Sequence, residues 1–295
     1  MIKCPLIFMV LAMVCITHSY GQSIERSVIA SSGSTITNGT TTLDFTVGEL
    51  AVTTITDGTT TFTQGFQQAE VNLAIQISPI VFLQGAFTNP NTGEEMLMRD
   101  DLRIASTILI PTTSPYDSTT CDAAIFTTSG TNAIVDWILI ELRDATNPVI
   151  IIASQSALLQ RDGDIVATDG TSAVSIDVTS GDYYVAVKHR NHLGILTAST
   201  LALSRAVTTL DLSTDVAVAT GGSLALRDMG NGLYAMYAGD VNNDGSILNT
   251  DITNAIAASG GITVYTGADA DMDGNILNTD IALIIQPNAG RIQQF

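Results

Sequence analysis

The sequence predicts a mainly β fold that ends in a small α-helical module. Three observations carry this. Threonine, valine and isoleucine recur in short alternating runs, and β-branched side chains fit a pleated surface better than a helical turn. Gly and Asp turn signals punctuate those runs at regular spacing, the mark of antiparallel sheets. After residue 237 the pattern changes to two copies of a loop followed by a short apolar helix. Hydrophobic residues make up 45% of the 295 and charged residues only 14%, enough apolar material for a core and too much for wholesale disorder. A formal net charge of −18 argues against a nucleic-acid partner and against an anionic lipid surface.

Residues 1–21 read as an export signal. Lys3 precedes an apolar run from Leu6 to Ile16, and the small residues Ser19 and Gly21 stand at −3 and −1 of a cut before Gln22. The run is too short to span a bilayer comfortably, and no later run is long and uncharged enough to do so. The expected product is secreted, extracellular or at the cell surface, without a transmembrane segment. Cleavage removes Cys4 and Cys15 and leaves Cys121, so no intrachain disulfide is available and bound metal is one alternative staple.

Residues 22–72 form a Thr-rich β module. Strands are expected in LDFTVGELAVTTI and TTTFTQGF, with turns at Asn38-Gly39 and Thr56-Asp57-Gly58. Residues 73–237 read as an antiparallel β-sandwich. Its clearest strands are Ala133–Leu142, Pro148–Ser154, Ala173–Val178 and Asp182–Lys188, with turns at Asp162-Gly163, Asp169-Gly170 and Gly181-Asp182. Trp137 reads either as a core anchor or as a sugar-stacking platform. His189 continues the Tyr183-Val185-Val187 face, and His192 is placed in the following turn; packing and loop hydrogen bonds compete with a ligand role for the pair. Asp162 and Asp164, with Glu141, are the one carboxylate set suited to glycoside chemistry, against a simple β-turn. No nucleophile elbow, P-loop or dinucleotide fingerprint occurs, so no catalytic residue is assigned.

Residues 238–295 hold seven aspartates and one basic residue, Arg291. GDVNNDGSILNTDI from Gly239 recurs as ADADMDGNILNTDI from Ala268, at an offset of 29 residues. Counted from Asp240, positions 1, 3, 5, 7 and 12 are Asp240, Asn242, Asp244, Ser246 and Asp251, with Gly245 at 6. Counted from Asp269 they are Asp269, Asp271, Asp273, Asn275 and Asp280, with Gly274 at 6. This is the spacing of a twelve-residue calcium loop. Oxygens at 1, 3 and 5 start the shell, Gly at 6 permits the sharp turn that aims the carbonyl of 7, and a carboxylate at 12 closes it. Two Ca²⁺ ions are expected. Magnesium keeps more water, and zinc or copper would want His or Cys. The apolar set is small for independent stability, so the two ions are expected to fold the module.

With Asp rather than Glu at 12, and no evident entering helices, the pair resembles a type I dockerin repeat. The resemblance implies a small calcium-folded module that plugs into a cohesin-like protein. It departs from that pattern at position 9, Leu248 and Leu277, and in a second helix, IALIIQ, that stops at Pro287. Upstream, VDWILIELRD, LLQRDGDIV and GDYYVAVKHRNHLGILT, within Gln84–Leu203, resemble a secreted bacterial haemagglutinin-like module. VGEL and TQGF resemble an N-terminal module of surface-displayed proteins. Together these imply a calcium-binding surface protein acting in adhesion or assembly, with a protein or glycan partner. The alternative is a polysaccharide-associated protein, carbohydrate-binding or glycan-degrading, attached through its dockerin-like tail.

Overall fold

The computed structural model describes four short strands between residues 32 and 62 and all residues from 74 to 295. The chain divides into two compact units, Met1–Val71 and Asn72–Phe295. In the first, β1 (Ser32–Thr37) pairs antiparallel with β2 (Thr42–Val47), and β3 (Ile55–Thr56) with β4 (Thr61–Phe62). Residues 1–21, expected to be an export signal, the Gly48-Glu49-Leu50 part of VGEL, TQGF and the Asn38-Gly39 and Asp57-Gly58 turns lie outside the described residues.

The second unit is mainly β, with several antiparallel sheets and few helices. Its strands are β5 (Ile75–Ile80), β6 (Ile134–Asp144), β7 (Ile151–Gln160), β8 (Ile165–Val166), β9 (Val174–Ile176), β10 (Gly181–His189), β11 (His192–Leu196), β12 (Leu201–Leu203), β13 (Val207–Asp211), β14 (Leu226–Gly230) and β15 (Leu233–Met236). The largest sheet runs β11-β10-β6-β7-β8, with β12 beside β10. A second sheet runs β13-β5-β9, and β14 pairs with β15. One pairing departs from the expected wholly antiparallel plan: β13 runs parallel to β5, Val207 opposite Gln76. No local hairpin signal announces a pairing between segments so far apart in sequence.

Central strand β6 is buried on both faces along nearly its whole length, which is why its sequence reads as an apolar run rather than an alternation. Phe82, Phe87, Met98, Leu102, Ile110 and Phe126, from the segment between β5 and β6, join it in the core. Trp137 lies wholly inside, its indole N–H donating to the Pro111 carbonyl at 2.7 Å. It is therefore a core anchor and not a stacking platform. Gly163 and Gly170 take left-handed φ of 94° and 77° in the expected Asp-Gly turns, a conformation that favours glycine. Gly181, expected in a turn, instead opens β10 opposite Leu203.

The packing does not divide at 237/238, since residues Asn72–Phe295 form one unit. Met272, from the second repeat, sits in the main core, while Leu193 and Tyr237 pack with Ile247, Ile276, Ile281, Ile284 and Ile285 of the repeats. The first repeat carries a helix over Asn249–Ala258. The second carries a π-wound helix over Asp280–Ile285 that runs into a last turn, Gln286–Asn288. The helix runs one residue past Pro287, to Asn288, close to the stop expected there. Among the described residues no helix is long and apolar enough to cross a membrane.

Candidate metal centre

Each repeat folds the same way at its loop, down to single bonds. Asp251 Oδ1 accepts the Val241 and Asn242 N–H groups at 2.8 and 3.3 Å, and Oδ2 accepts Leu248 N–H at 2.8 Å. Twenty-nine residues on, Asp280 Oδ1 accepts Ala270 and Asp271 N–H at 2.7 and 3.0 Å, and Oδ2 accepts Leu277 N–H at 2.8 Å. Asp240 accepts Asp244 and Gly245 N–H at 3.0 and 2.9 Å; Asp269 accepts Asp273 and Gly274 N–H, both at 3.1 Å. Asp244 and Asp273 accept the N–H of Ser246 and Asn275. Positions 4 and 6 are left-handed in both loops: Asn243 and Met272 at φ 57° and 60°, Gly245 and Gly274 both at 84°. Only the glycines adopt this without strain.

The carboxyls at positions 1 and 12, Asp240, Asp251, Asp269 and Asp280, are buried. Asp271, Asp273, Asn275 and Ser246 are half-buried, while Asn242 and Asp244 are exposed. In loop 2, one oxygen from each of Asp269, Asp271 and Asp273 lies within 4.8 Å of the others. Among the described residues no Lys or Arg forms an ion pair with any of the seven aspartates of the repeats.

Burial raises the carboxyls that converge here. Asp240 is pushed up to about 6, by burial first and then by Asp251 and Asp244. Asp269 is pushed up to about 8, by burial first, against the nearby positive charge of Arg190 and together with Asp280 and Asp271. Asp271 and Asp280 are raised as well, again chiefly by burial. A raised folded pKa means that the metal-free native state holds protons the unfolded chain has lost. The resulting stability is complete below about pH 4 and is lost as the pH rises through about 6 to 8. A bound cation requires the same oxygens deprotonated, so its contribution grows over that window. The melting temperature with calcium minus that with chelator is therefore expected to widen from pH 5 to pH 8. A difference that stays constant across this range would contradict the assignment of these carboxyls.

The two loops differ in what grips them. Loop 2 is set into the β unit: Arg99 Nη2 donates to Asp271 O at 2.6 Å, and Asn191 Nδ2 to Asp269 O at 2.7 Å. A Cβ on Gly85 would stand 2.2 Å from Ala270 O, so the helical turn Gln84–Phe87 approaches this loop as only glycine allows. Loop 1 faces outward and is braced by the last residues of the chain. Ile247 N–H donates to Arg291 O and Gln293 N–H to Gly245 O, each at 2.8 Å. Reciprocally, Ile276 of loop 2 exchanges bonds with Gly260 and Gly261 beyond the first helix.

Beside loop 2 lies a buried polar cluster. Asp136 accepts four donors: Trp137 N–H and the Tyr265 hydroxyl on Oδ1, at 2.7 and 2.6 Å, and Arg190 Nε and His189 Nε2 on Oδ2, at 3.0 and 3.1 Å. Burial alone would raise this carboxyl, but Arg190 and His189 win and hold it at about 2. Gly85 N–H donates to His192 Nε2 at 3.2 Å, so the neutral His192 carries its proton on Nδ1. That proton faces His189 Nδ1 at 2.9 Å and Asn191 Oδ1 at 2.8 Å, which leaves His189 protonated on Nε2, toward Asp136. Both imidazoles are held below their ordinary range by burial, with all four ring nitrogens bonded. His192 is thus the first residue of β11, paired with His189 across the two-residue turn Arg190-Asn191, and not part of the turn itself.

The expected carboxylate set does not assemble. Asp162 and Asp164 sit in the β7–β8 turn beside Gln160, which pairs with Ile134. Glu141 lies seven residues further along β6, about 23 Å away at 3.3 Å per residue, and is paired with Arg143. Carboxyl pairs that cleave glycosidic bonds stand about 5–9.5 Å apart.

No family model matches the chain, and no curated protein matches it. Among solved structures it is similar to a chain of a type II cohesin–X–dockerin complex of Acetivibrio cellulolyticus, a C-terminal interface mutant. The identity is 16% and the TM-score 0.35, over 74% of this chain and 97% of the other. An N-terminal interface mutant of the complex is similar at 20% identity and TM-score 0.32, over 53% and 82%.

Proposed function

We propose that the repeats of residues 238–295 bind two calcium ions, and that the chain is a secreted or cell-surface protein acting in adhesion or assembly. The observation that carries the calcium reading is the duplicated bonding pattern. In both loops the carboxylates at 1, 5 and 12 bond to backbone N–H groups of their own loop, and in loop 2 those at 1, 3 and 5 converge. Donor oxygens 2.3–2.6 Å from a calcium ion are at most about 5 Å apart, and the Asp269–Asp271–Asp273 oxygens meet that limit. Like charges this close oppose folding unless a counter-ion joins them.

The assembly reading rests on the outer face of the repeats. Leu248, Asn249, Thr250 and Ile256 are exposed at and just before the first helix, and Leu277, Asn278, Thr279 and Leu283 at and just before the second. Exposed leucine and isoleucine beside small polar residues suit a protein partner better than a glycan. With the resemblance to dockerin repeats, this proposes a cohesin-like protein as partner. The glycan-degrading alternative has lost its supports, since Trp137 is buried and the carboxylates stand apart.

Equilibrium dialysis of the full chain against calcium tests the ion assignment. Two ions per chain are expected, with none retained when Asp251 and Asp280 are both changed to alanine and with millimolar magnesium unable to displace them. A chain that takes up no calcium sinks the reading.

A further inference from the structure

We propose that Asn191 is a positioning residue that couples the two calcium loops to each other and to the β-sandwich; this rests on the calcium reading above. Asn191 is fully buried at the β10–β11 turn and touches the first residue of both loops. Its carbonyl accepts Gly239 N–H at 2.9 Å and Asp240 N–H at 3.2 Å, at the mouth of loop 1. Its side-chain Nδ2 donates to Asp269 O at 2.7 Å and to Gly267 O at 3.3 Å, at the mouth of loop 2. Its Oδ1 accepts the Nδ1 proton of His192. Both polar groups of its side chain are therefore spent inside the protein, the amide N–H on the segment that opens loop 2 and the oxygen on His192, while its backbone carbonyl holds the start of loop 1.

The turn itself has little freedom. His189 and His192 pair across it, and the bonded run from Gly85 through His192 and His189 ends at Asp136 in the middle of the largest sheet. Arg190, the other turn residue, holds Asp136 and donates to the Thr266 carbonyl, in the segment that leads into loop 2. A loop that closes on an ion must settle its first aspartate, and in each loop the backbone of that residue is bonded to Asn191. Ordering one loop thus orders the shared anchor, and the second ion finds part of that ordering already done. The result is positive cooperativity between sites that share no ligand.

The test is calorimetric titration of the full-length protein with calcium alone, in wild type and Asn191→Ala, with nuclear magnetic resonance of the Asn191 amide and the His189 and His192 rings. Wild type is expected to bind its two ions cooperatively. Asn191→Ala keeps the carbonyl bonds to loop 1 and loses the donor to loop 2. Loop 2 should weaken by about tenfold or more, from the loss of the Nδ2 bonds to Asp269 and Gly267, while loop 1 keeps its intrinsic affinity and the cooperativity disappears. Asn191→Asp retains the acceptor toward His192 but sets a carboxylate against two carbonyl oxygens, and should weaken loop 2 further. If the variants do not fold, the wild-type resonances decide: the Asn191 side-chain amide and the His192 Nδ1 proton should shift as calcium is added. Calcium uptake with those signals unmoved, or with unchanged affinities and cooperativity in Asn191→Ala, overturns the coupling alone. A wild-type protein that takes up no calcium overturns the loop reading, and the coupling with it.

Discussion

Asp136→Ala is expected to destabilise residues 72–295 by about 3–5 kcal/mol, the cost of removing one partner from a buried ion pair. The carboxylate is fully buried and joins Arg190 and His189 of the β10–β11 hairpin to Tyr265 of the segment between the repeats. Without it the Arg190 charge stays inside with the Thr266 carbonyl and the Tyr265 ring, and loses the carboxylate that it is bonded to. Its Nη2 already has no partner among the described residues. Asp136→Asn keeps an acceptor and the packing, and should cost less than the alanine. Denaturant unfolding followed by Trp137 fluorescence measures both. A midpoint for Asp136→Ala within about 1 kcal/mol of wild type would mean that this cluster does not hold the repeats to the sheet.

Asp280→Ala should cost more than Asp251→Ala, although the two residues make the same bonds. Each change deletes a closing ligand and so disables a site whose occupancy is worth about 2.7 kcal/mol when free calcium is 100 times the dissociation constant. Each also strips three backbone N–H groups of their acceptor, at about 1–3 kcal/mol for a buried donor left unpaired. The difference lies in water. Ala270 and Asp271, which lose their acceptor in loop 2, are buried and half-buried, whereas their counterparts Val241 and Asn242 in loop 1 are half-buried and exposed; Leu248 and Leu277 are exposed in both. We expect a loss of about 4–6 kcal/mol for Asp280→Ala in saturating calcium and about 3 kcal/mol for Asp251→Ala. Equal losses would show that the two loops are equally open to water. The same asymmetry predicts tighter calcium in loop 2, which offers four carboxylates in a rigid surround against three in loop 1.

Much of this was legible before any coordinates. Apolar runs and turn chemistry located β6, β9 and β10 to within a few residues, because these strands lie between Gly or Asp turns; β7, expected at Pro148–Ser154, runs on to Gln160. The repeats were legible because cation binding requires particular residues at fixed positions. The parallel β5–β13 pair was not, since its partners are joined by neither a short turn nor a helix. Strand β11 was hidden because HLGIL is buried at every position and offers no period of two. His192 is expected in a turn and instead opens β11, although two signals bear on the polar cluster. Asp136 interrupts an apolar run, and a buried carboxylate demands donors. HRNH supplies several donors between two apolar segments, and the pairing of one with the other is tertiary information that spacing does not carry. For the same reason the repeats looked like a separable tail. Their helices and loops are local, but the bonds from Arg99, Arg190 and Asn191 that bind them to the sheet are not.

The central claim is that two calcium ions stabilise the whole unit from residue 72 to 295 and not merely its last 58 residues. Thermal melting of the full chain, in chelator and in millimolar calcium, tests it when β-sheet circular dichroism and Trp137 fluorescence are recorded together. The account predicts one shared transition by both probes, shifted upward by calcium and left nearly in place by magnesium. Trp137, in the strand that carries Asp136, would report calcium even though no ion touches it. A Trp137 transition at the same temperature in chelator and in calcium would contradict the account.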